Sequence, residues 1–546
     1  SLYTRVVHSL ASLAMRRQGV PPAPIICMFT TIQKLKHYIR TIFGDSELSF
    51  GGDLWAVKVS DGLIQGLGQG NGAAPQMWAV VSTPVLEMLR SEGHCCFFKA
   101  AISGDEVSFV GYAFVDDTDQ IVTSPENDAS FQEIAHRMQA SVTAWQGGIR
   151  ATGGAIVPEK SHWYLIDFVW THGHWRYATE AETPAQISVQ DSTGTEKMLE
   201  RLAPDEARRT LGVRLAPDGN CDDQFKFMVN VATEWGEHIR TGHLPRHLVW
   251  ESMHTTILRT LLYPLPATTL SQKQCHQIMA PILKYGLPCA GIVRTMPRDL
   301  VHGPQRYHGL GIPDLYLEQA IQHINKLVKF GQTQTITGKL LRSCLEQHGL
   351  EIGLPGSVMQ LPYDKVGCLA TNSWVQDTWS FLSAHNMGLD DRTSKLHRRR
   401  EGDEFLTALF LKAGFKDGSL RRLNRCRLYL RILTVADIVT ANRAKITTSG
   451  WNGIRDSPHY PQYAWPTQGR PSTDDWTHWQ HALQCSLKLR RLHLQVPLGA
   501  WTEEVGHWEW FYDSHSERIY RRHQGQWEYA PKLLIRSGRA AQAKFR

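Results

Sequence analysis

The sequence predicts an α+β fold, in which an antiparallel sheet backed by helices is followed by a run of long helices. Three observations carry this. Apolar and polar residues alternate in SELSFGGDLWAVKVSDG and in the apolar stretch VSFVGYAFVDDTDQIV, as in half-buried strands. Helical patterns interrupt these strands at about 75–91 and 129–149. From about 216 the alternation gives way to helical periodicity, as in LYLEQAIQHINKLVKF (315–330), where Leu315, Ile321, Ile324, Leu327 and Val328 lie mostly on one face.

Taken in order, residues 3–18 and 30–43 read as helices, followed by short strands or a hairpin around 46–62. The Gly-rich segment GLGQGNGAAP leads into a helix from Pro75 to Ser91, with proline near its first turn, where its missing N–H costs nothing. Two strands then flank Asp116-Asp117, a helix covers 129–149, and a Gly-Gly turn precedes AIVPEKSHWYLIDFVW. Long helices over 222–241 and 315–330 mark a separate helical domain. Helical, basic sequence continues to about 447, and Gly, Pro and Trp punctuate 451–546. The expected division is therefore 1–215, 216–345, 346–450 and 451–546.

At 546 residues the chain is too long for one core. Its ten cysteines form no CxxC pair and no Cys/His set at zinc spacing, and no leader-like segment opens it, so an intracellular setting without disulfide-linked partners is expected. No apolar run approaches the roughly 18 residues of a membrane span. The net charge is +7, unevenly placed: residues 391–546 carry 27 Lys plus Arg against 15 Asp plus Glu, leaving the first 390 residues at −5. That asymmetry suits a polyanion gripped by the C-terminal part, although a solvated basic face would read the same way.

The chemistry centres on Phe114-Val115-Asp116-Asp117. Adjacent carboxylates repel, and a fold that keeps both ionised commonly shares a divalent cation between them. Asp-Asp is also an ordinary turn signal. What lifts the pair above a turn is its context. Forty-seven residues before Asp116 stands Gln69-Gly70-Asn71-Gly72-Ala73-Ala74-Pro75-Gln76-Met77-Trp78, and after it come Gly153-Gly154-Ala155-Ile156-Val157-Pro158-Glu159-Lys160, then Thr210-Leu211-Gly212-Val213, then Gly309-Leu310-Gly311-Ile312-Pro313-Asp314-Leu315. In this order the motifs resemble those of the reverse transcriptases of non-LTR (LINE-type) retrotransposons, over roughly residues 1–340.

The resemblance implies a polymerase palm in 1–215 and a thumb-like domain in 216–345, with a helical basic connector and a Trp-rich basic region of open fold beyond. It implies RNA-directed DNA polymerisation by two-metal nucleotidyl transfer, with two Mg²⁺ ions as cofactors and with RNA template, DNA primer and deoxynucleoside triphosphates as partners. Asp116 corresponds to the metal-bridging carboxylate and Asp117 to a weaker metal partner. Lys160 corresponds to a cation or proton donor near the leaving pyrophosphate. Gln69 and Gly70 would lie against the template base and nucleotide, and Leu211-Gly212 would grip the primer. Tyr3-Thr4-Arg5-Val6-Val7-His8 resembles the end of the first palm motif, with Tyr3 as the aromatic that selects deoxynucleotides and Thr4 replacing an aspartate. The metal-binding aspartate of that motif would fall about three residues before Ser1, so the chain is expected to be an N-terminally truncated fragment that does not polymerise by itself. The alternative is a domesticated or decayed polymerase fold acting as a non-catalytic RNA-binding scaffold; Thr4 and Ala74 are departures in that direction.

Asp119 reads as a strand-end or turn residue and His8 as packing. His243 and His247 are spaced like metal ligands, but Pro245 stands between them and HExxH order is absent. Three basic clusters, His397-Arg398-Arg399-Arg400, Arg421–Arg427 and Lys488–Arg491, are candidates for a phosphate track, and the eight Trp beyond residue 450 are candidates for base stacking or for a core.

Overall fold

The computed structural model describes residues 6–51, 74–114, 117–124, 129–390, 393, 395–440, 442–455, 460, 463–500, 502, 510–513, 518–523 and 526–529. These form two compact units, one made of 1–98, 108–167 and 178–204, the other of 99–107, 168–177 and 205–546.

In the first unit, helices His8–Arg17, Pro22–Lys34, Ala74–Ser91 and Phe131–Ala151 close on a core of Val6, Ala11, Ile25, Phe29, Trp78, Val81, Leu89, Trp145 and Ile149. The helix Phe131–Ala151 starts where Ser130 accepts the Glu133 N–H, satisfying an amide that the first turn leaves without an intrahelical partner. The helix expected over 30–43 is instead the end of Pro22–Lys34 followed by the strand Lys36–Thr41. Leu35 adopts extended geometry there, and the next residues, KHYIRT, include aromatic and β-branched side chains that suit a pleat.

The fold is a mixture of helices and small sheets. One antiparallel sheet was the expectation; the described strands instead pair two by two, apart from a three-stranded sheet of Trp510–Asp513, Arg518–His523 and Gln526–Tyr529. One pair, His162–Tyr164 with Glu200–Leu202, is parallel. Most of these strands are only three or four residues long. Segments so short bury little by pairing laterally, and they gain more by laying an apolar side chain on a helix. Thus Trp163, Leu165 and Ile187 pack against Phe131, Ile134, Met138 and Val142 of one helix face.

The second unit is mainly helical. One core gathers Met228, Ala232, Met253, Ile257, Leu261, Ile278 and Leu315 from the helices between 222 and 330. A second draws on residues from Leu327 to Leu498, including Trp379, Phe410, Leu423, Trp476 and Trp479. Two of the buried indoles are tied to backbone: Trp379 and Trp479 donate to the Leu361 and Gly450 carbonyls at 2.8 and 2.9 Å. Ser373 accepts the Gln376 N–H to cap helix Trp374–Ala384, and its hydroxyl lies 2.9 Å from His348 Nε2, while His348 Nδ1 lies 2.9 Å from Glu351. Burial raises the Glu351 carboxyl, but the His348 and Thr371 hydrogen bonds outweigh it and hold the group below the usual carboxylate range.

Candidate functional site

Asp117 begins the second strand of a hairpin, Gly111–Phe114 with Asp117–Gln120, in which Phe114 faces Asp117, Ala113 faces Thr118 and Tyr112 faces Asp119. Gly111, which pairs with Gln120, is required by the neighbouring strand: a Cβ there would collide with the Asp119 backbone carbonyl. Because side chains alternate along a strand, Asp117 and Asp119 share a face, and their cross-strand partners Phe114 and Tyr112 share it with them. Asp117 is exposed, and Phe114 and Tyr112 are 60% and 54% exposed. Two carboxylates thus stand on one solvent-facing, aromatic-flanked strip. Asp119 is exposed as a residue, but partial desolvation lifts its carboxyl above the usual carboxylate range, with His162 pulling against that shift and Asp117 adding to it.

His162 belongs to the strand His162–Tyr164, two residues after Lys160. Lys160 ends a short 3-10 turn, Pro158–Lys160, reached through Gly153 at φ 92, and it is exposed. Asp117, Asp119 and His162 therefore form one electrostatic neighbourhood, and Lys160 sits on the segment leading into it. Asp119 is the penultimate residue of its four-residue strand, next to the strand end or turn expected, and it lies on the face of Asp117. The Asp-Thr-Asp spacing carried that signal, since residues two apart on a strand share a face. His162 had no signal in the sequence; only packing brings it within range of Asp119.

Tyr3, Thr4, Gln69, Gly70 and Asp116 lie outside the described residues. The helix that follows the Gln-Gly segment, Ala74–Ser91, buries Ala74, Met77, Trp78, Val81 and Leu89, as its amphipathic pattern requires.

In the other unit, Leu211 and Gly212 link strands Arg208–Thr210 and Val213–Leu215, with Thr210 opposite Val213. Both linking residues have left-handed φ, 50° and 88°, the requirement of a tight hairpin turn whose twist matches its strands. Glycine accepts that conformation freely; leucine does not. Leu211 is held in it by Tyr263, whose hydroxyl donates to the Leu211 carbonyl at 2.6 Å, and its side chain stays 44% exposed. Leu211 is thus an exposed apolar residue in a strained conformation fixed by a hydrogen bond, not a core residue.

The three basic clusters divide. Arg399 is buried and bonded to Asp437 at 2.6 Å, and Arg400 is buried too. Arg427 is fully buried, donating to Asn424 Oδ1 and to the carbonyls of Ile432, Leu350 and Glu351. Arg422 and Arg425 converge on Asp475. These cations are spent on the fold, which removes them from any phosphate track. Arg398, Arg421, Lys488, Arg490 and Arg491 remain exposed. Trp476 and Trp479 are core residues, not stacking platforms. All ten cysteines are free thiols, and no helix among the described residues is long and apolar enough to cross a membrane.

No protein-family model and no curated protein matches this chain.

Proposed function

We propose that this chain is the palm and thumb-like part of an RNA-directed DNA polymerase of the non-LTR retrotransposon type. The observation that carries the reading is the hairpin 111–120, which presents Asp117 and Asp119 on one exposed strip, inside an ordered series of motifs running from Gln69-Gly70 to Leu211-Gly212. Exposed carboxylates are hard oxygen donors of the kind Mg²⁺ selects, so the donor set suits that ion, and Asp116 and Asp117 would hold it. When bound, the two ions acidify the primer 3′-hydroxyl and neutralise charge on the triphosphate.

The remaining work falls to other side chains. Lys160 would place its ammonium against the leaving pyrophosphate, donating a hydrogen bond or proton to an oxygen whose charge grows during the displacement. Tyr3 would sit against the sugar and exclude a 2′-hydroxyl. Gln69 and Gly70 would let backbone approach the nucleotide and template base. Leu211, fixed by Tyr263, would press on the primer strand.

The test is Asp116→Asn in a polypeptide that supplies a first-motif aspartate upstream. Primer extension on an RNA template should fall at least about a thousandfold, because a neutral amide is a poor Mg²⁺ ligand, while RNA affinity changes less than about twofold. Extension that survives the substitution would remove the polymerase reading.

A further inference from the structure

Within the second unit, segments 443–446 and 488–494 gather basic side chains that the fold leaves unspent. Arg490 and His493 pair across a two-residue turn, exchanging backbone hydrogen bonds at 3.2 and 2.9 Å, and His493 pairs in turn with Lys445. Directly paired residues share a face, so Lys445, His493 and Arg490 stand side by side in one row. At a strand spacing of about 4.8 Å the row spans about 10 Å. All three are exposed, whereas their chain neighbours Ile446 and Leu489 are buried in the core. Arg491 in the turn and Lys488 just past helix Thr473–Leu487 are exposed as well, and Arg443 is half-buried. Like charges set opposite one another weaken a pairing. The turn is also costly: Arg491 and Leu492 both have left-handed φ, 48° and 68°, in a geometry that favours Asn-Gly. Neither choice serves stability.

Among the described residues, none of the side chains of Arg443, Lys445, Lys488, Arg490, Arg491 and His493 forms an ion pair or a hydrogen bond. The stretches 438–455 and 485–502 contain no Asp or Glu. Two acids come from a neighbouring segment. Asp403 is buried and accepts the Arg399 and Ala436 amides, and Glu401 lies against Gly499. Burial first, then the charges of Arg443 and Arg399, pull the nearby Arg400 guanidinium down to about 10, with Asp403 opposing. A surface with charge and no apolar anchor selects its partner by charge density. Duplex nucleic acid sets one phosphate about every 1.7 Å of its axis and releases condensed counterions when cations dock. An acidic peptide has no such atmosphere to release and needs apolar anchors to bind well. A bilayer needs inserted apolar groups for lasting attachment, and in 443–446 and 488–496 Val496 alone is a large apolar side chain standing well into water. Neither 443–446 nor 488–494 holds Phe, Tyr or Trp, so unpaired bases find no platform there.

We infer that Lys445, Arg490 and Arg491, with His493 among them, form a sequence-independent docking surface for the phosphate backbone of duplex nucleic acid. This rests on the polymerase reading only in identifying that duplex as the RNA–DNA product. The test uses the 546-residue chain and an RNA–DNA hybrid of about 20 base pairs, with binding read by anisotropy across a salt series. Lys445→Gln, Arg490→Gln and Arg491→Gln alter exposed side chains, so the fold tolerates them. Each should weaken hybrid binding about fivefold at about 0.1 M salt, alike for unrelated hybrid sequences, and lower the log–log salt slope by about 0.9. Lys412→Gln removes the same formal charge, but Lys412 is already bonded to Glu404 at 2.9 Å, and it should change neither quantity. If the wild-type chain binds the hybrid and the three surface variants match it within about twofold, the surface is overturned and the polymerase reading stands. It is equally overturned if Lys412→Gln weakens binding as much as Arg490→Gln, or if the surface variants lose phosphatidylserine vesicles and keep the hybrid. If the wild-type chain binds no hybrid, the surface falls, and primer extension with Asp116→Asn judges the polymerase reading separately.

Discussion

The hairpin 111–120 and the helical core around Asp437 both depend on carboxylates, and they use them in opposite ways. On the hairpin, Asp117 stands in water with Asp119 two residues along the same face. In the core, Asp437 is buried and saturated: it accepts from Arg399 at 2.6 Å, from the Leu433 and Thr434 amides at 2.8 and 3.0 Å, and from the Tyr460 hydroxyl at 3.1 Å. A carboxylate with every lone pair engaged defines a loop and has nothing left to offer a ligand. One left in solvent contributes little to stability and keeps its oxygens available for an incoming cation. The same contrast divides the cations: Arg427 and Arg399 serve architecture, while Arg470 and Lys488 face water.

The comparison can be broken most sharply at Arg427. Its guanidinium is fully buried and donates to three carbonyls and to Asn424, so Arg427→Ala leaves those acceptors unmet beside a cavity. The expected loss is about 3–5 kcal/mol, seen as a lower denaturant midpoint. A loss below about 1 kcal/mol would mean that the buried cations are not architectural after all. Next is Glu346, whose Oε2 accepts the Ile102 and Ser103 amides at 2.9 and 2.8 Å and the Ser103 hydroxyl at 3.1 Å. Glu346→Ala should cost about 1–3 kcal/mol, and exchange of those two amides should accelerate more than exchange elsewhere in the same unit.

Asp377 gives a smaller effect with a definite sign. Burial pushes its carboxyl from 3.8 up to about 6, so the folded chain holds the proton more tightly than the unfolded one. Its stabilising contribution is complete below the unfolded value, declines as pH rises through about 6, and is flat above. The residue has substantial exposed surface, so solvent screening keeps the change below about 1 kcal/mol. Asp377→Asn should flatten the stability profile between pH 4 and 7, which melting curves across that range would reveal. Smallest of all is Asp117→Asn: an exposed hairpin carboxylate without a buried partner should shift the melting free energy by less than about 0.5 kcal/mol. A larger destabilisation would place Asp117 among the structural acids and weaken its assignment to chemistry.

Much of this molecule was legible before any coordinates. The helices at Ala74–Ser91, Phe131–Ala151, Asp222–Thr241 and Leu315–Phe330 follow from apolar periodicity within a residue or two, because a helix carries its pattern locally. The hairpin of Gly111–Phe114 with Asp117–Gln120 was likewise written in short-range turn chemistry, whereas Leu211-Gly212 read by itself as no more than a strand end and as a hairpin only through the family resemblance. The left-handed backbone at Leu211 was not legible, since it depends on the hydroxyl of Tyr263, 52 residues away.

What the sequence by itself determined was local: where helices run, where the chain turns, and which acids stand next to one another. The tertiary structure alone decided how charge is used. An arginine in RRLNRCR reads as a cation for phosphate whether it faces water, like Arg421, or is enclosed, like Arg427. The difference lies in groups far along the chain, the carbonyls of Leu350 and Glu351 for one and solvent for the other. The reason is physical. Backbone preference acts over a few residues, whereas the free energy of a charge depends on the dielectric and the partners around it, and those are assembled only when distant segments pack.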